Sequence, residues 1–215
     1  LIVRLFAIWA RNCKALNTCT PVMRLLKERL PHWAFFTRFA KNKMTHKGFD
    51  IIKAAYDRSY TDLLRVGKIP ARDTKIGFWG PSVTHEVYEA FQKIQLSRSK
   101  RFLDLGSGDG KVALLASLFC DEAHGVEYDE ALHSQAEGMA SQLGISNVAF
   151  FNRDFHDHAL SEYDAIFINP DKPMSRGTEK KLVDEMTGRL IVYGHHFHPT
   201  GLKMQREFLV GDTAI

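Results

Sequence analysis

Short apolar runs alternate with helical patterns over the last two thirds of the chain. Each run has the length of a buried strand, and the runs lie at 101–105, 123–128, 148–152, 163–169 and 189–193. The stretches between them place apolar residues at every third or fourth position, as amphipathic helices do. Strands that alternate with helices predict an α/β fold: a doubly wound, mostly parallel sheet with helices on both faces. Residues 208–215 surround a Gly-Asp turn and predict a C-terminal antiparallel hairpin.

The N-terminal third is helical in pattern and rich in basic residues. Apolar residues recur at helical spacing within 22–40, which Pro31 interrupts, and again within 48–66, after which Gly67 is a stop signal. We therefore divide the chain into a basic helical extension, residues 1–67, and an α/β domain, residues 76–215, with residues 68–74 as a connector.

Charge is distributed unevenly between these two parts. Residues 1–53 carry eleven Lys or Arg and two acidic residues, a net charge of +9, whereas the remainder carries −5 and the whole chain +4. A segment of this charge suits an anionic surface. We expect residues 1–53 to contact either an anionic membrane or RNA.

The first ten residues are almost entirely apolar, but a helix that spans a bilayer needs about 20. They fit the remnant of a longer anchor, a targeting sequence, or a helix that packs on the domain. We expect a cytoplasmic protein, with a membrane-associated or mitochondrial location if the segment is an anchor or a targeting sequence. The three cysteines form no C-x-x-C pair, which argues against a disulfide framework and a structural zinc site and for a reducing compartment.

The strongest chemical signal is a glycine-rich loop after the first apolar run of the α/β domain. The sequence there is Asp104-Leu-Gly-Ser-Gly-Asp-Gly-Lys111, followed by an uninterrupted helical pattern. Glycines at alternate positions let the backbone turn tightly and approach a ligand. A dinucleotide loop of the G-x-G-x-x-G type is the obvious competitor, but it would need glycine where Lys111 stands. We therefore interpret the stretch as a cofactor loop of another kind.

An acidic residue ends the second predicted strand, 21 positions after Gly106. A carboxylate at this place, Glu127, faces the crevice of a doubly wound sheet and can accept hydrogen bonds from both hydroxyls of an adenosine ribose. The alternative is a solvated acid in a loop, and the spacing from the glycine loop favours the ribose.

The Asp-x-Gly-x-Gly-x-Gly pattern with its downstream acid resembles the first motifs of the class I, seven-strand S-adenosylmethionine-dependent methyltransferases. The resemblance covers about residues 76–215. It implies a Rossmann-like fold, methyl transfer, and S-adenosylmethionine as the cofactor. It also implies that Asp154 after the third strand takes the adenine amino group and that Phe155 packs on the ring, although an Asp cap and a core Phe are the alternatives. The implied cofactor-binding residues are Asp104, Gly106, Ser107, Gly108, Gly110, Glu127, Asp154 and Phe155.

The fourth predicted strand ends in Asn169-Pro170-Asp171, where the methyl group would emerge. We take these three residues as catalytic candidates. The stretch is similar to the Asn/Asp-Pro-Pro-aromatic signature of methyltransferases that act on planar nitrogens, but Asp171 replaces the second proline and Lys172 the aromatic residue. The missing aromatic argues against a flipped adenine as the acceptor. A plain turn at the end of a strand is the alternative.

A narrower resemblance rests on four short stretches: Pro81-Ser82 before a helix, the glycine loop, Ile166-Phe-Ile-Asn169, and Arg189-Leu-Ile-Val192. Together they are similar to the non-SET protein lysine methyltransferases of the disruptor-of-telomeric-silencing type and their archaeal and mitochondrial relatives. This implies a protein lysine as acceptor, and we favour a protein substrate over a nucleic acid. An RNA N-methyltransferase and a non-catalytic assembly factor that retains the fold are the alternatives.

Two further stretches flank the predicted acceptor region. The aromatic residues Phe78, Trp79 and Phe197 are candidates for the apolar walls of a lysine pocket. The run His195-His196-Phe197-His198 resembles a metal site, but no third ligand follows at the usual spacing, so we predict no metal. We assign the run to the wall of the acceptor pocket, with a purely structural strand end as the alternative.

Overall fold

The computed structural model describes residues 32–215, with side chains from residue 46 onward. The predictions for residues 1–31, including the apolar start, lie outside the described residues. The chain divides into two compact units, Leu1–Met44 and Thr45–Ile215. In the first unit, the described backbone is helical from His32. The rest of this section concerns the second unit.

Five helices of α type and nine strands form in the described residues. The helices are α1 (His32–Arg65), α2 (Thr84–Lys93), α3 (Lys111–Ala116), α4 (Glu130–Leu143) and α5 (Arg176–Glu185). Short 3₁₀ turns lie at Leu96–Arg98 and Phe155–Asp157. The strands are β1 (Arg72–Asp73), β2 (Phe78–Trp79), β3 (Arg101–Leu105), β4 (Glu122–Glu127), β5 (Val148–Asn152), β6 (Ala165–Ile168), β7 (Arg189–Val192), β8 (Leu209–Val210) and β9 (Thr213–Ala214).

Local sequence explains where the helices begin and end. The Asp129 carboxylate accepts a hydrogen bond from the Leu132 N–H at the start of α4, and Gly144 ends that helix with a positive φ of 64°. The Ser175 hydroxyl accepts the Thr178 N–H in the same way at the start of α5. These signals are why α4 spans Glu130–Leu143.

The central sheet has the strand order β5-β4-β3-β6-β7, and all of its strands are parallel. The chain passes from β3 outward through β4 and β5, then crosses back to β6 on the other side of β3. Strand order therefore reverses between β3 and β6, which is where an open α/β sheet leaves a crevice at the carboxyl ends of its strands. The predicted doubly wound, Rossmann-like sheet is confirmed, and so is the separate antiparallel hairpin β8–β9.

Apolar side chains bury both faces of this sheet. On one face, Phe91, Phe102 and Phe167 pack edge to face, with ring centroids 5.3 to 6.1 Å apart, against the side chains of α1 from Phe49 onward. On the other face, Leu103, Ile166 and Leu182 form a second cluster. Burial on both faces is what parallel strands need, because neither face meets water.

Two elements differ from the sequence-based expectation. The helix expected at 48–66 is the second part of the longer α1, which runs through Gly48 without a break. A small antiparallel hairpin, β1–β2, forms within residues 72–79, which were assigned to a connector and a turn. Strands of two residues carry too little periodicity to be recognised.

In residues 32–215, none of the helices combines the length and the apolar character that crossing a membrane requires.

Candidate functional site

The glycine loop lies at the carboxyl end of β3, where the strand order reverses. The backbone N–H groups of Gly106 and Ser107 both donate to the Val126 carbonyl at 3.0 Å, which fixes the loop to β4. Gly110 has a positive φ of 84°, and a Cβ there would lie 2.6 Å from the Ala136 Cβ. Glycine is therefore required at this position by both conformation and space.

Asp104 lies beneath the loop with only 3% of its surface exposed. Its Oδ2 atom is buried and has no hydrogen-bond partner among the described residues, and the same holds for the Ser107 hydroxyl. Burial first, and then the neighbouring charges of Glu127 and Asp109, raise the pKa of the Asp104 carboxyl well above its usual value. Buried polar atoms without partners are rare, and they mark places where a ligand completes the hydrogen bonding.

Asp104 and Ser107 line a cavity of about 270 Å³ above the loop. It brings together residues from three regions of the sequence: Phe78, Trp79, Gly80, Pro81 and Ser82; Asp104, Gly106, Ser107, Asp109, Lys111 and Val112; and Phe167, Asn169 and Asp171. The residues fit a ligand with both polar and apolar parts, as S-adenosylmethionine is. Of the predicted site residues, Asp104, Gly106, Ser107, Asn169 and Asp171 line this cavity.

The β1–β2 hairpin forms one wall of the cavity, and the end of β6 holds it there. The Asp171 carboxylate accepts a 2.7 Å hydrogen bond from the Phe78 N–H, and Lys172 Nζ donates to the Ile76 carbonyl. Trp79 lies directly on the loop, because a Cβ on Gly108 would be 2.3 Å from Trp79 Nε1. In the structure, Asp171 thus positions the hairpin.

Asn169 is tied to the residue that precedes helix α2. Its Nδ2 donates to the Ser82 hydroxyl at 3.1 Å. The N-cap position of α2 is Val83, so the Ser82 hydroxyl does not cap this helix. Ser82 and Asn169 therefore act as one polar edge of the cavity. Pro170, the third catalytic candidate, does not line it.

Glu127 supports the glycine loop from below. Its Oε2 accepts the Gly108 N–H at 2.8 Å, and its Oε1 accepts the Asp129 N–H at 2.7 Å. The side chain is 7% exposed and does not line the cavity of about 270 Å³. Each carboxylate oxygen has a second lone pair, so the ribose contact stays a prediction.

Asp154 and Phe155 lie after β5, away from the cavity. The Asp154 carboxylate accepts the His156 N–H at 2.9 Å and caps the 3₁₀ turn, which was the alternative considered for it. Phe155 stacks on the His156 ring, with centroids 4.4 Å apart. Their contact with adenine stays a prediction.

A buried polar cluster beside the loop was missed by the sequence analysis. The Tyr60 hydroxyl donates to Asp109 Oδ2 at 2.6 Å, and the Tyr56 hydroxyl donates to the Asp109 carbonyl at 2.7 Å. Lys111, only 3% exposed, places its Nζ 5.0 Å from the centroid of the Tyr60 ring. Tyr56 and Tyr60 belong to the apolar pattern within residues 48–66, which we interpreted only as the buried face of a helix. Their hydroxyl groups, one helical turn apart, are the only sequence signal for a polar contact with the glycine loop.

The histidine run does not contribute to the cavity. His195 Nε2 lies 3.2 Å from the Asp212 carbonyl, and neither the three histidines nor Phe197 lines the space above the loop. Over residues 46–215, no group of three or more His, Cys, Asp or Glu side chains is arranged to hold a metal ion. The assignment of this run to the acceptor pocket stays a prediction.

Comparison with known families identifies the chemistry of the central part of the chain. The family model of a methyltransferase domain matches residues 96–191, from the turn before β3 almost to the end of β7. No curated protein matches the sequence. Residues 96–191, fewer than half of the 215 in the chain, therefore match a methyltransferase domain, in agreement with the predicted enzyme class.

Several solved structures are similar to the chain. One is the RNA methyltransferase from Salinibacter ruber in complex with S-adenosyl-L-homocysteine, which is 18% identical, with 63% of this chain and 90% of that chain covered and a TM-score of 0.53. Another is the yhhF protein of Escherichia coli, at 23% identity, 62% and 85% coverage and a TM-score of 0.48. The S-adenosylmethionine-dependent methyltransferase from Thiobacillus denitrificans, in complex with S-adenosyl-L-homocysteine, is 21% identical over 53% of this chain and 49% of that chain, with a TM-score of 0.44. The likeness to the Salinibacter protein shows the fold.

Proposed function

We propose that this chain transfers the methyl group of S-adenosylmethionine to a side-chain nitrogen of a lysine in a protein substrate. The observation that carries the proposal is the bond from Asn169 Nδ2 to Ser82. Because the amide nitrogen is engaged, the Asn169 side-chain oxygen remains as a hydrogen-bond acceptor at the cavity. Such an oxygen can hold an amine N–H and orient the nitrogen lone pair.

The cavity walls suit an amine that must first lose its proton. Phe78 and Trp79 provide aromatic surface beside Asn169. An apolar environment disfavours the charged form of an amine and lowers its pKa, which increases the nucleophilic fraction. Cofactor chemistry supplies an activated methyl group when the site is loaded. The protein then has to align the acceptor and exclude water, and alignment alone accounts for large rate factors.

The residues that would hold the cofactor are those with unsatisfied buried atoms. Asp104 and Ser107 line the cavity, and Asp104 Oδ2 and Ser107 Oγ have no hydrogen-bond partner among the described residues. An ammonium group of the cofactor beside Asp104 would favour the ionised carboxylate. It would thus oppose the effect of burial, which raises the pKa of Asp104. The resemblance to the disruptor-of-telomeric-silencing type of lysine methyltransferase supports the same acceptor class, through Pro81-Ser82 and Asn169.

An RNA N-methyltransferase is the second candidate, and the basic segment favours it. Residues 1–53 carry a net charge of +9, which suits a phosphate backbone. Against it, Lys172 stands where the related signature has an aromatic residue, and its Nζ donates to the Ile76 carbonyl. That position therefore offers no aromatic ring on which a flipped base could stack.

Transfer of a labelled methyl group decides between these candidates. The protein is incubated with methyl-labelled S-adenosylmethionine and with the protein, RNA or small-molecule fraction of a cell lysate. We expect label in protein and, after acid hydrolysis, in methylated lysine. Asn169→Ala should reduce this transfer while the cofactor affinity, measured by calorimetry, stays nearly unchanged. Label in RNA alone would contradict the proposal, as would full turnover by the variant.

We also propose that residues 1–53 attach the enzyme to an anionic surface. The support is their charge, together with the apolar residues Leu5, Phe6, Ile8 and Trp9. Attraction between exposed charges weakens as salt rises, because screening sets in beyond a Debye length of about 8 Å. Apolar insertion into a membrane would persist. Sedimentation with anionic vesicles and a gel shift with RNA, each at low and high salt, distinguish membrane binding from RNA binding. If the protein binds neither vesicles nor RNA, the proposal is wrong.

A further inference from the structure

Lys111 is a buried cation in the wall of the cofactor cavity, and no role in the preceding sections accounts for it. It is the residue after the last loop glycine, and it is 3% exposed. Among the ion pairs of the described residues, none includes Lys111. A buried charge without a close partner is costly, so proteins pair such groups or use them to bind a ligand.

The side chains around Lys111 hold it in place but do not neutralise it by contact. Its Nζ lies 5.0 Å from the centre of the Tyr60 ring and 5.8 Å from that of Tyr56, within the range of cation–π attraction. Asp109 carries the nearest negative charge, and its carboxylate already accepts the Tyr60 hydroxyl. Burial lowers the pKa of Lys111 to about 8, against the opposing charges of Asp109 and Asp57.

The lining of the cavity therefore includes a lysine, Lys111, that forms no ion pair with the described residues, and two residues, Asp104 and Ser107, each with one buried oxygen that has no partner among them. An amino-acid group needs this combination, since it carries one ammonium and one carboxylate. Adenine and ribose carry no charge at neutral pH, so the carboxylate of the methionine part is the single anionic group of S-adenosylmethionine.

We infer that Lys111 binds the carboxylate of the cofactor's methionine part. Tyr60 and Asp109 are positioning residues for it, because they fix the loop and the aromatic face on which the ammonium lies. This inference rests on the proposed function, since it takes S-adenosylmethionine as the ligand. It also makes the second part of α1 a component of the cofactor site.

Ligands with and without the carboxylate test the inference on the unmodified protein. Calorimetry compares S-adenosylmethionine and S-adenosylhomocysteine, which carry the carboxylate, with decarboxylated S-adenosylmethionine, which lacks it. We expect the carboxylated ligands to bind about 10- to 100-fold more tightly, as charged hydrogen bonds in a buried site do. Equal affinities would overturn the inference and leave the proposed function standing. If none of the three ligands binds, the proposed function itself fails.

Substitution of Lys111 provides a second test of the inference. Lys111→Met keeps an unbranched side chain only one atom shorter and removes its charge, and it should remove this preference while decarboxylated S-adenosylmethionine binds as before. Lys111→Arg should retain part of the preference. Tyr60→Phe should weaken the binding of carboxylated ligands by a smaller factor. Lys93 is a half-exposed lysine of α2 outside the cavity, so Lys93→Met should leave all three affinities unchanged.

The binding of decarboxylated S-adenosylmethionine also reports whether each variant is folded. If Lys111→Met does not fold, the ligand comparison on the unmodified protein and the Tyr60→Phe variant still decide. A Lys111→Met protein that keeps the full preference for carboxylated ligands would refute the assignment.

Discussion

Asn169, at the end of β6, and Ser82, before α2, are joined by a 3.1 Å hydrogen bond although 87 positions separate them in the sequence. The bond fixes the amide plane of Asn169 in the cavity wall. Ser82 is 7% exposed, so water competes little for this contact. The orientation of the proposed acceptor residue thus depends on a side chain from a different part of the chain.

Ser82→Ala should lower turnover with little change in cofactor affinity. The variant frees the Asn169 amide to rotate, and misplacement of a positioning group costs about tenfold or more in rate. Steady-state kinetics and calorimetry measure the two effects separately. Ser117→Ala is the matched control, because Ser117 is equally buried and hydrogen-bonded but lies outside the cavity. Equal loss in both variants would point to general destabilisation instead.

Gly108→Ala should be more harmful than Gly106→Ala. Both glycines have positive φ, so either substitution costs about 1–2 kcal/mol in backbone conformation. A Cβ at Gly108 also meets Trp79 Nε1 at 2.3 Å, whereas a Cβ at Gly106 meets nothing within 4 Å. Thermal unfolding should show a Tm lower by several degrees in Gly108→Ala than in Gly106→Ala.

A second substitution tests the cause of that difference. Trp79→Ala removes the side chain that the new methyl group would contact, so it should recover most of the excess loss in the Gly108→Ala background. If the double variant is as unstable as Gly108→Ala alone, then Trp79 does not lie on the loop in solution.

The order of the elements could be predicted from sequence because each has a local cause. The five strands of the central sheet are short apolar runs, and α4 has its own start and stop signals in Asp129 and Gly144. The glycine loop is recognisable because its backbone conformation depends on glycine itself. These features are encoded within a few residues of the place where they act.

The composition of the site could be predicted only in part, because its remaining contacts join distant segments. Asp171 was taken as catalytic from its place after β6, but the sequence does not reveal that its carboxylate accepts the Phe78 N–H. Tyr60 reaches Asp109 across 49 positions. Residues 1–67 were grouped as an extension, and this grouping did not indicate that Tyr56 and Tyr60 contact the loop. Such partners follow from packing, which periodicity does not specify.

Two substitutions of Asp171 separate positioning from catalysis. Asp171→Asn keeps a side-chain oxygen that can accept the Phe78 N–H, so it should retain most of the activity and cofactor affinity. Asp171→Ala removes the acceptor of this exposed hydrogen bond and should lower cofactor affinity by about two- to tenfold, since a typical hydrogen bond contributes about 0.5–1.5 kcal/mol. Binding and rate are measured for both. If Asn is as damaging as Ala, a negative charge is needed and the catalytic prediction gains support.

A histidine pair predicts how stability depends on pH. The Tyr163 hydroxyl lies 2.8 Å from both His124 Nδ1 and His158 Nε2, so it donates to one neutral ring and accepts from the other. Burial is the main cause that lowers the pKa of both histidines. Other charges act more weakly. Arg101 lowers the pKa of His124, and Glu122 and Glu162 raise it. The pKa of His158 is lowered by Arg153, His124 and Lys181 and raised by Glu162.

Acidification should therefore destabilise the fold. Both folded-state pKa values lie below that of an unfolded histidine, about 6.5, so the unfolded chain binds more protons as the pH falls through that value. We expect Tm to be highest above pH 7 and to fall toward pH 5.5. His124→Gln/His158→Gln should flatten this part of the profile, whereas His195→Gln, at an exposed site, should not. An unchanged slope in the double variant would contradict the role of the pair.

Cofactor binding should lose strength at alkaline pH if Lys111 holds the carboxylate. Burial lowers the pKa of Lys111 to about 8 in the free protein, so its ammonium is lost as the pH rises above that value. The other titratable groups around it are Asp109, Asp57, Tyr56 and Tyr60, and burial raises the pKa of both tyrosines well above 10, which leaves them neutral in this range. The ligand's own α-amino group also titrates at alkaline pH, and Lys111→Met provides the baseline for that contribution. Between pH 7 and pH 9, we expect the Kd of S-adenosylhomocysteine to rise by up to about tenfold more in the unmodified protein than in the variant, because a neutral amine no longer pairs with the carboxylate. Parallel curves for the two proteins would show that the carboxylate is bound by another group.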